Sequence, residues 1–163
     1  KEAVHMTEEK DFKGYIHDVA DLQQTSPAFL PETADPGRCK NRHCLFPEPC
    51  KNLTADHKDY VSLLRKLRDL PKVKKVFVRS GVRFDYVLAD PDKTFLNELA
   101  KYHVSGQLRV APEHVSNQVL KYMGKPSHEV YEKFLKEFDK ANKKLAYSSL
   151  PCHILCPPIR DVP

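Results

Sequence analysis

Two short β-like runs between Lys74 and Gly124 constrain the fold most, because each one leads into polar residues and then into a helix-like segment. The first run ends at Arg79-Ser80-Gly81, and the second ends at Ala111-Pro112-Glu113-His114. Strands that alternate with helices favour parallel pairing, and therefore an α/β sheet or barrel. In such folds ligands bind at the carboxyl ends of the strands.

The rest of the chain continues this alternation. Apolar and β-branched spacing predicts strands at 12–19, 73–79 and 108–111, and helices from Asp56 to Leu70, from Asp90 onward, at 115–123 and from Ser127 onward. Four aromatic residues lie on the inner faces of the predicted helices and are expected in the core: Phe95, Tyr102, Phe134 and Phe138.

Charge and hydropathy limit the classes of function. The chain has 163 residues, enough for one domain or for a piece of a larger barrel. Its formal net charge is +5, but 22 acidic residues are interspersed with the 27 lysines and arginines, which favours a solvated surface over nucleic-acid binding.

No apolar run approaches the roughly 20 residues of a membrane span, and residues 1–10 are too charged for a signal peptide. We therefore expect a soluble, cytoplasmic protein with no membrane partner.

Three of the five cysteines lie close together, at Cys39, Cys44 and Cys50. An odd number of cysteines without an export signal favours thiolates that bind a metal over a disulfide scaffold. Three thiolates leave one position of a tetrahedral zinc site for His43, His57, water or substrate. The alternative is a set of free, reactive thiols.

Four strings of residues resemble a known family: FKGYIHDV, CLFPEPCKNL, KKVFVRSGVRFDY and VSGQLRVAPEHVSNQVLKYMGKPS. They resemble the YgiQ-type radical S-adenosylmethionine (SAM) proteins, a bacterial and archaeal family of unassigned substrate. The resemblance covers roughly residues 1–19 and 39–145. It implies a partial TIM-type (β/α) barrel of the radical SAM kind, with a Cys-rich insertion at 39–53 after the first strand.

The same resemblance implies two cofactors, SAM and a [4Fe-4S] cluster, at the carboxyl ends of the barrel strands. In that family a C-x3-C-x2-C triplet holds the cluster, and no such spacing occurs in this chain. We therefore expect the triplet upstream of Lys1 and interpret the chain as an internal fragment. Residues 1–145 would be part of the core barrel, and 146–163 a divergent, unstructured tail.

The resemblance implies SAM contacts after the second strand. The guanidinium of Arg79 can pair with the SAM carboxylate, and the Ser80 hydroxyl can bond the ribose or the carboxylate. The alternative is a solvent-exposed basic loop. Arg83 is a weaker candidate, because it can form a surface ion pair with Asp85. Asp18, after the first strand, can face the same pocket.

Glu113 and His114 follow the third strand directly. A carboxylate there can accept hydrogen bonds from an amino group or a sugar hydroxyl, and a histidine can do acid–base chemistry near neutral pH. The alternative for Glu113 is a capping role at the helix that begins near Val115.

Members of that family carry a further cysteine before the three at Cys39, Cys44 and Cys50, which gives a four-cysteine set for zinc or an additional iron–sulfur cluster. This chain lacks the fourth cysteine. The family also continues the strand IHDV with Gly-Gly-Pro-Thr-Ala-Asn-Phe, where this chain has ADLQQTSPAF.

One nucleotide string can encode both versions of that loop. Val19 to Ser26 can be written GTG GCG GAC CTA CAG CAA ACT TCC, and reading from its third base gives Gly-Gly-Pro-Thr-Ala-Asn-Phe. We therefore interpret residues 20–38 as a frameshifted translation, and 146–163 as a weaker case of the same kind. Codons in the coding DNA that are incompatible with this string would exclude the interpretation.

Two functions from different classes follow. The first is a fragment of a radical SAM enzyme, inactive alone because its cluster ligands lie elsewhere. The second is a non-catalytic zinc module in which Cys39, Cys44 and Cys50 organise an interaction surface, with nucleic acid as the partner that the positive charge suggests.

Overall fold

The computed structural model describes residues 1–19, 45–46, 48–50, 53, 55–79, 81–104, 106–145 and 153–155. The helices in these residues are α1 (Glu2–Glu8), α2 (Lys58–Arg68), α3 (Phe84–Ala89), α4 (Thr94–Glu98), α5 (Asn117–Tyr122) and α6 (His128–Leu145). A π-helical turn, Leu99–His103, extends α4. The strands are β1 (Tyr15–Ile16), β2 (Lys75–Val76), β3 (Gln107–Arg109) and β4 (His153–Leu155). None of the described helices combines the length and apolar character that a membrane span requires.

The described strands form two parallel pairs, as the alternation of strands and helices predicts. The first pair joins β1 to β2, with Tyr15 opposite Lys75. The pairing continues past the end of β2, where the Phe77 amide donates to the Ile16 carbonyl oxygen at 2.9 Å. The second pair joins β3 to β4. The Val82 amide donates to the Arg109 carbonyl oxygen at 3.3 Å, which places the segment after β2 beside the end of β3. A closed or partial barrel remains a prediction.

The hydrophobic core lies on one side of β1, β2 and β3. Alternate strand residues point into it, among them Ile16, Val76 and Leu108, and the helices cover them from that side. Helix α6 contributes Phe134 and Phe138, which are 0% and 2% exposed. These two core assignments and that of Phe95 are confirmed.

The fourth aromatic core assignment, Tyr102, is wrong. Tyr102 is only partly buried, and the guanidinium carbon of Arg68 lies 4.0 Å from the centre of its ring. Residues 95, 99 and 103 follow one another at a spacing of four, so His103 continues the inner face of the helix and Tyr102 lies at the edge of that face. His103 is fully buried.

Two further findings correct the predicted elements. Helix α3 was not predicted; it buries Phe84 and Val87, and it ends at Ala89, with Asp90 as its C-cap before Pro91. Strand β4 lies within 146–163, so the expectation of an unstructured tail is wrong for 153–155, a short apolar run that pairs with β3. The suspected frameshift at 20–38 lies outside the described residues.

Gly14 permits the close approach of β1 to the turn before β2. Its φ is +92°, and a Cβ there would lie 2.8 Å from the Lys72 carbonyl oxygen. Gly106 also has a positive φ, +82°, but nothing lies within 4 Å of its Cβ position. We expect Gly14→Ala to lower the free energy of unfolding by about 2 kcal/mol and Gly106→Ala by about 1 kcal/mol, measured by urea unfolding. If the two variants lose the same free energy of unfolding, a clash between the alanine Cβ and the Lys72 carbonyl oxygen does not contribute.

The pKa of the buried His103 lies below the usual value for histidine. Burial penalises the charged ring, and this outweighs the hydrogen bond between Nδ1 and the Val76 carbonyl oxygen at 2.9 Å. The unfolded chain therefore takes up the proton at a higher pH than the folded chain. The neutral His103 ring therefore makes its full contribution to the free energy of unfolding above about pH 6.5. This contribution is lost as the pH falls below that value.

This sign gives a prediction for acid unfolding. Between about pH 7.5 and 5.5 we expect the wild-type chain to lose roughly 1 kcal/mol more unfolding free energy than His103→Gln, whose side-chain amide can still donate to Val76. The matched control is His5→Gln, since the side chain of His5 is 80% exposed. If His103→Gln and His5→Gln have the same pH dependence, His103 is not the responsible group.

Candidate functional site

A cavity of about 630 Å³ lies where the segments after β2 and β3 meet the turn after α5. We call it the strand-end cavity. Its walls are formed by Gly81–Asp85, Ala111–Glu113 and Met123–Pro126, together with Leu45 and Phe46. The volume is within the range of about 300–1,000 Å³ that small-molecule sites occupy. The cavity lies beyond the carboxyl ends of β2 and β3, and the binding of a ligand there stays a prediction.

The first charged wall is an ion pair between Arg83 and Asp85. Arg83 Nη2 lies 2.6 Å from Asp85 Oδ2, and Nε lies 3.2 Å from Oδ1, so the contact is bidentate. The Asp85 side chain is only 7% exposed, whereas that of Arg83 is 47% exposed. The buried carboxylate therefore holds the guanidinium at the cavity, where its exposed edge can meet an anion.

The second charged wall is an ion pair between Glu113 and Lys125. Lys125 Nζ donates to Glu113 Oε1 at 2.9 Å, and both side chains are partly exposed. The backbone of Glu113 is in the left-handed region with φ +68°, which is uncommon for a residue with a side chain. Such strain often occurs at functional sites.

The end of α5 explains the position of Lys125. Gly124 has φ +65°, the Gly124 amide donates to the Lys121 carbonyl oxygen at 3.2 Å, and the Lys125 amide donates to the Leu120 carbonyl oxygen at 2.9 Å. These two hydrogen bonds form a Schellman motif, which ends the helix and turns the chain. Lys125 thereby faces the strand ends. Gly124 and Pro126 indicate a turn there, but Lys125 does not itself follow a strand and was not predicted as a site residue.

The other predicted site residues are placed differently. His114 lies after Glu113 but does not line the cavity, and its Nδ1 accepts a hydrogen bond from the Ser116 amide at 2.8 Å, just before α5. That contact is local and structural. The Arg79 amide donates to Asp18 Oδ1 at 2.8 Å, which ties the ends of β1 and β2 together. The Arg79 side chain, however, lies 5.1 Å from the ring centre of Phe77 and not at the cavity wall. Ser80 lies outside the described residues.

The cysteine cluster can be described only at Cys50. Cys39 and Cys44 lie outside the described residues, and Cys50 is partly buried and free of a disulfide. Within the described part of the chain, no group of three histidine, cysteine or acidic side chains is placed to hold a metal. Leu45 and Phe46, which follow Cys44, line the strand-end cavity, so the Cys-rich segment adjoins it.

A buried histidine–carboxylate pair was missed by the sequence analysis. The Nδ1 atom of His57 lies 2.6 Å from Asp90 Oδ2, and the His57 amide donates to the same oxygen at 3.1 Å. The imidazole stacks on Phe95 at 4.4 Å between ring centres. Asp90 was expected only to open a helix, and His57 only as an optional metal ligand. The pair joins the start of α2 to the loop between α3 and α4, beside a smaller cavity of about 310 Å³.

Sequence comparison finds close relatives with a family name. The chain is 53% identical over 146 residues to a UPF0313 protein of Clostridium botulinum strain Okra, a match that covers 89% of this chain. It is 50% identical over 147 residues to a UPF0313 protein of Clostridium perfringens strain SM101, with the same coverage. No family model and no solved structure matches the chain.

These relatives are much longer than this chain, which spans only 22–23% of their length. UPF0313 is the YgiQ-type family whose motifs the sequence resembles, so the similarity to that family is confirmed. The names of the relatives state no activity or cofactor.

Proposed function

We propose that the chain is a segment of an iron–sulfur radical SAM enzyme and that its strand-end cavity contributes to the SAM site. The observation that carries the proposal is the cavity itself, which lies beyond β2 and β3 and is lined by charged groups of both signs. The motifs shared with the YgiQ-type family support the same reading. The activity of the whole protein is part of the proposal, because this chain spans only 23% of its relatives.

The residues of the cavity fit the polar groups of SAM. SAM carries a sulfonium cation, an ammonium group, a carboxylate, ribose hydroxyls and a purine. Glu113 can accept hydrogen bonds from the ammonium group or the ribose, and Lys125 and Arg83 can pair with the carboxylate. Each ligand contact would replace part of an existing ion pair, so Glu113, Lys125 and Arg83 would each keep a charged partner.

The described residues do not fit the cluster. They hold no suitable group of metal ligands, and the full sequence contains no C-x3-C-x2-C triplet. The ligands of a [4Fe-4S] cluster would therefore come from another part of a longer protein. A reduced cluster of this kind would supply one electron to bound SAM, whose C5′–S bond would break to give methionine and a 5′-deoxyadenosyl radical. The radical would take a hydrogen atom from the substrate, whose identity we do not assign.

Metal analysis and SAM binding test this proposal against the zinc module. The sample is the longest protein whose reading frame contains residues 1–163, purified without oxygen. We expect iron and sulfide, a visible absorption band, and saturable binding of SAM by calorimetry. Stoichiometric zinc without iron, together with no SAM binding, would contradict the proposal and support a zinc site at Cys39, Cys44 and Cys50.

A further inference from the structure

Three buried polar atoms lie where α2 packs against α4 and the π-helical turn. They are Arg68 Nη1, Glu98 Oε2 and His103 Nε2, and none has a hydrogen-bond partner in the described part of the chain. Only one other buried side-chain atom of those residues lacks a partner, His128 Nδ1 at the start of α6. Because buried polar groups without partners are rare in native proteins, three of them in one place point to a ligand.

Neighbouring contacts bring these three atoms together. Arg65, one helical turn before Arg68, donates from Nε to Glu98 Oε1 at 2.7 Å, and the second oxygen of that carboxylate is the buried one. The guanidinium carbon of Arg68 lies 4.0 Å from the ring centre of Tyr102, the residue before His103. Arg68 and Glu98 are also among the charges that act on the His103 ring. We call Arg68, Glu98 and His103 the buried polar cluster.

The hydrogen bond to β2 fixes the tautomer of His103. Its Nδ1 lies 2.9 Å from the Val76 carbonyl oxygen, and a carbonyl oxygen can only accept, so Nδ1 carries the proton. Burial keeps the pKa of the ring below its usual value, so at about pH 7 the ring is neutral and Nε2 is an acceptor. The buried polar cluster therefore offers one donor, on Arg68, and two acceptors, on Glu98 and His103.

We propose that the buried polar cluster binds one water molecule. This water accepts a hydrogen bond from Arg68 and donates to Glu98 and His103, so each atom gains the partner that it lacks. Among the described residues no ion pair joins Arg68 directly to Glu98, as expected for two charges that a water bridges. An ammonium or metal ion has no acceptor for Arg68, and a chloride ion has no donor for the other two groups.

The bound water connects three elements of the fold. It reaches α2 through Arg68, the end of α4 through Glu98, and β2 through the ring of His103 and its contact with Val76. None of these residues lines the strand-end cavity, so the inference is independent of the proposed radical chemistry.

A crystal structure of the 163-residue chain, at a resolution that shows ordered water, tests the proposal. We expect one density peak with three contacts of about 2.6–3.2 Å, to Arg68 Nη1, Glu98 Oε2 and His103 Nε2. Arg68→Met removes the donor and keeps an unbranched side chain, and it should lower the occupancy of this water at least about twofold. Lys101→Met is the matched control and should leave the water unchanged, because Lys101 Nζ also lies against the Tyr102 ring, at 4.9 Å, but is not part of the cluster.

Nitrogen chemical shifts of the His103 ring give a test in solution that needs no variant. We expect a proton on Nδ1 and, at Nε2, the shift of an unprotonated nitrogen that accepts a hydrogen bond.

Any of three results would overturn the proposal. The first is a neutral His103 ring with its proton on Nε2. The second is a direct ion pair between Arg68 and Glu98 with no water peak beside it. The third is a peak whose anomalous signal identifies a metal ion.

Discussion

Asp90→Ala is expected to lower the free energy of unfolding by about 3–5 kcal/mol, the largest loss of stability among the variants considered. Asp90 is 3% exposed, and its carboxylate accepts three hydrogen bonds. Two come from the amide and ring of His57, and the third comes from the Asp92 amide at 2.8 Å. Alanine would leave these buried or partly buried donors without a partner.

The matched control is Asp92→Ala, two residues away. Asp92 is exposed, and its carboxylate accepts hydrogen bonds from the amide and hydroxyl of Thr94, which lower its pKa. We expect a much smaller loss there, because water can replace those contacts. Urea unfolding followed by circular dichroism measures both variants. Similar losses in the two would contradict a structural role for the buried pair at His57.

Glu113→Gly is expected to separate stability from ligand binding. Because Glu113 has φ +68°, glycine should relieve backbone strain and raise the free energy of unfolding by about 1 kcal/mol. The same variant should weaken SAM binding by the longer protein roughly 10- to 100-fold, since a charged hydrogen-bonding partner is lost. Stability and affinity are measured by urea unfolding and by calorimetry.

Glu113→Gln is the matched control, since it keeps the side-chain length and the strained backbone but removes the charge. We expect its SAM affinity to fall as in Glu113→Gly, without the gain in stability. If both variants bind SAM as tightly as the wild type, Glu113 is not a ligand contact. If Glu113→Gly is less stable than Glu113→Gln, the left-handed backbone is not a source of strain.

Local patterns predicted much of the fold. The β-branched residues of 73–79 predicted strand β2, and the spacing of Phe134 and Phe138 predicted the inner face of α6. Both features depend on near neighbours in the chain. The strand ends could also be located, so the approximate position of Glu113 followed from sequence alone.

Features set by tertiary contacts could not be predicted in this way. The contact between Glu113 and Lys125 joins two segments through the turn at Gly124, and the pair of His57 and Asp90 joins residues 33 positions apart. Such pairings depend on how the elements pack, which the hydrophobic pattern alone does not specify.

Release of 5′-deoxyadenosine from SAM tests the central proposal most directly. The sample is the longest polypeptide whose reading frame contains residues 1–163, reconstituted with iron and sulfide and reduced without oxygen. We expect 5′-deoxyadenosine to form in the reduced wild type, and to fall at least about tenfold in Glu113→Gln at limiting SAM. Intact SAM after incubation with a protein whose cluster is loaded and reduced would contradict the account.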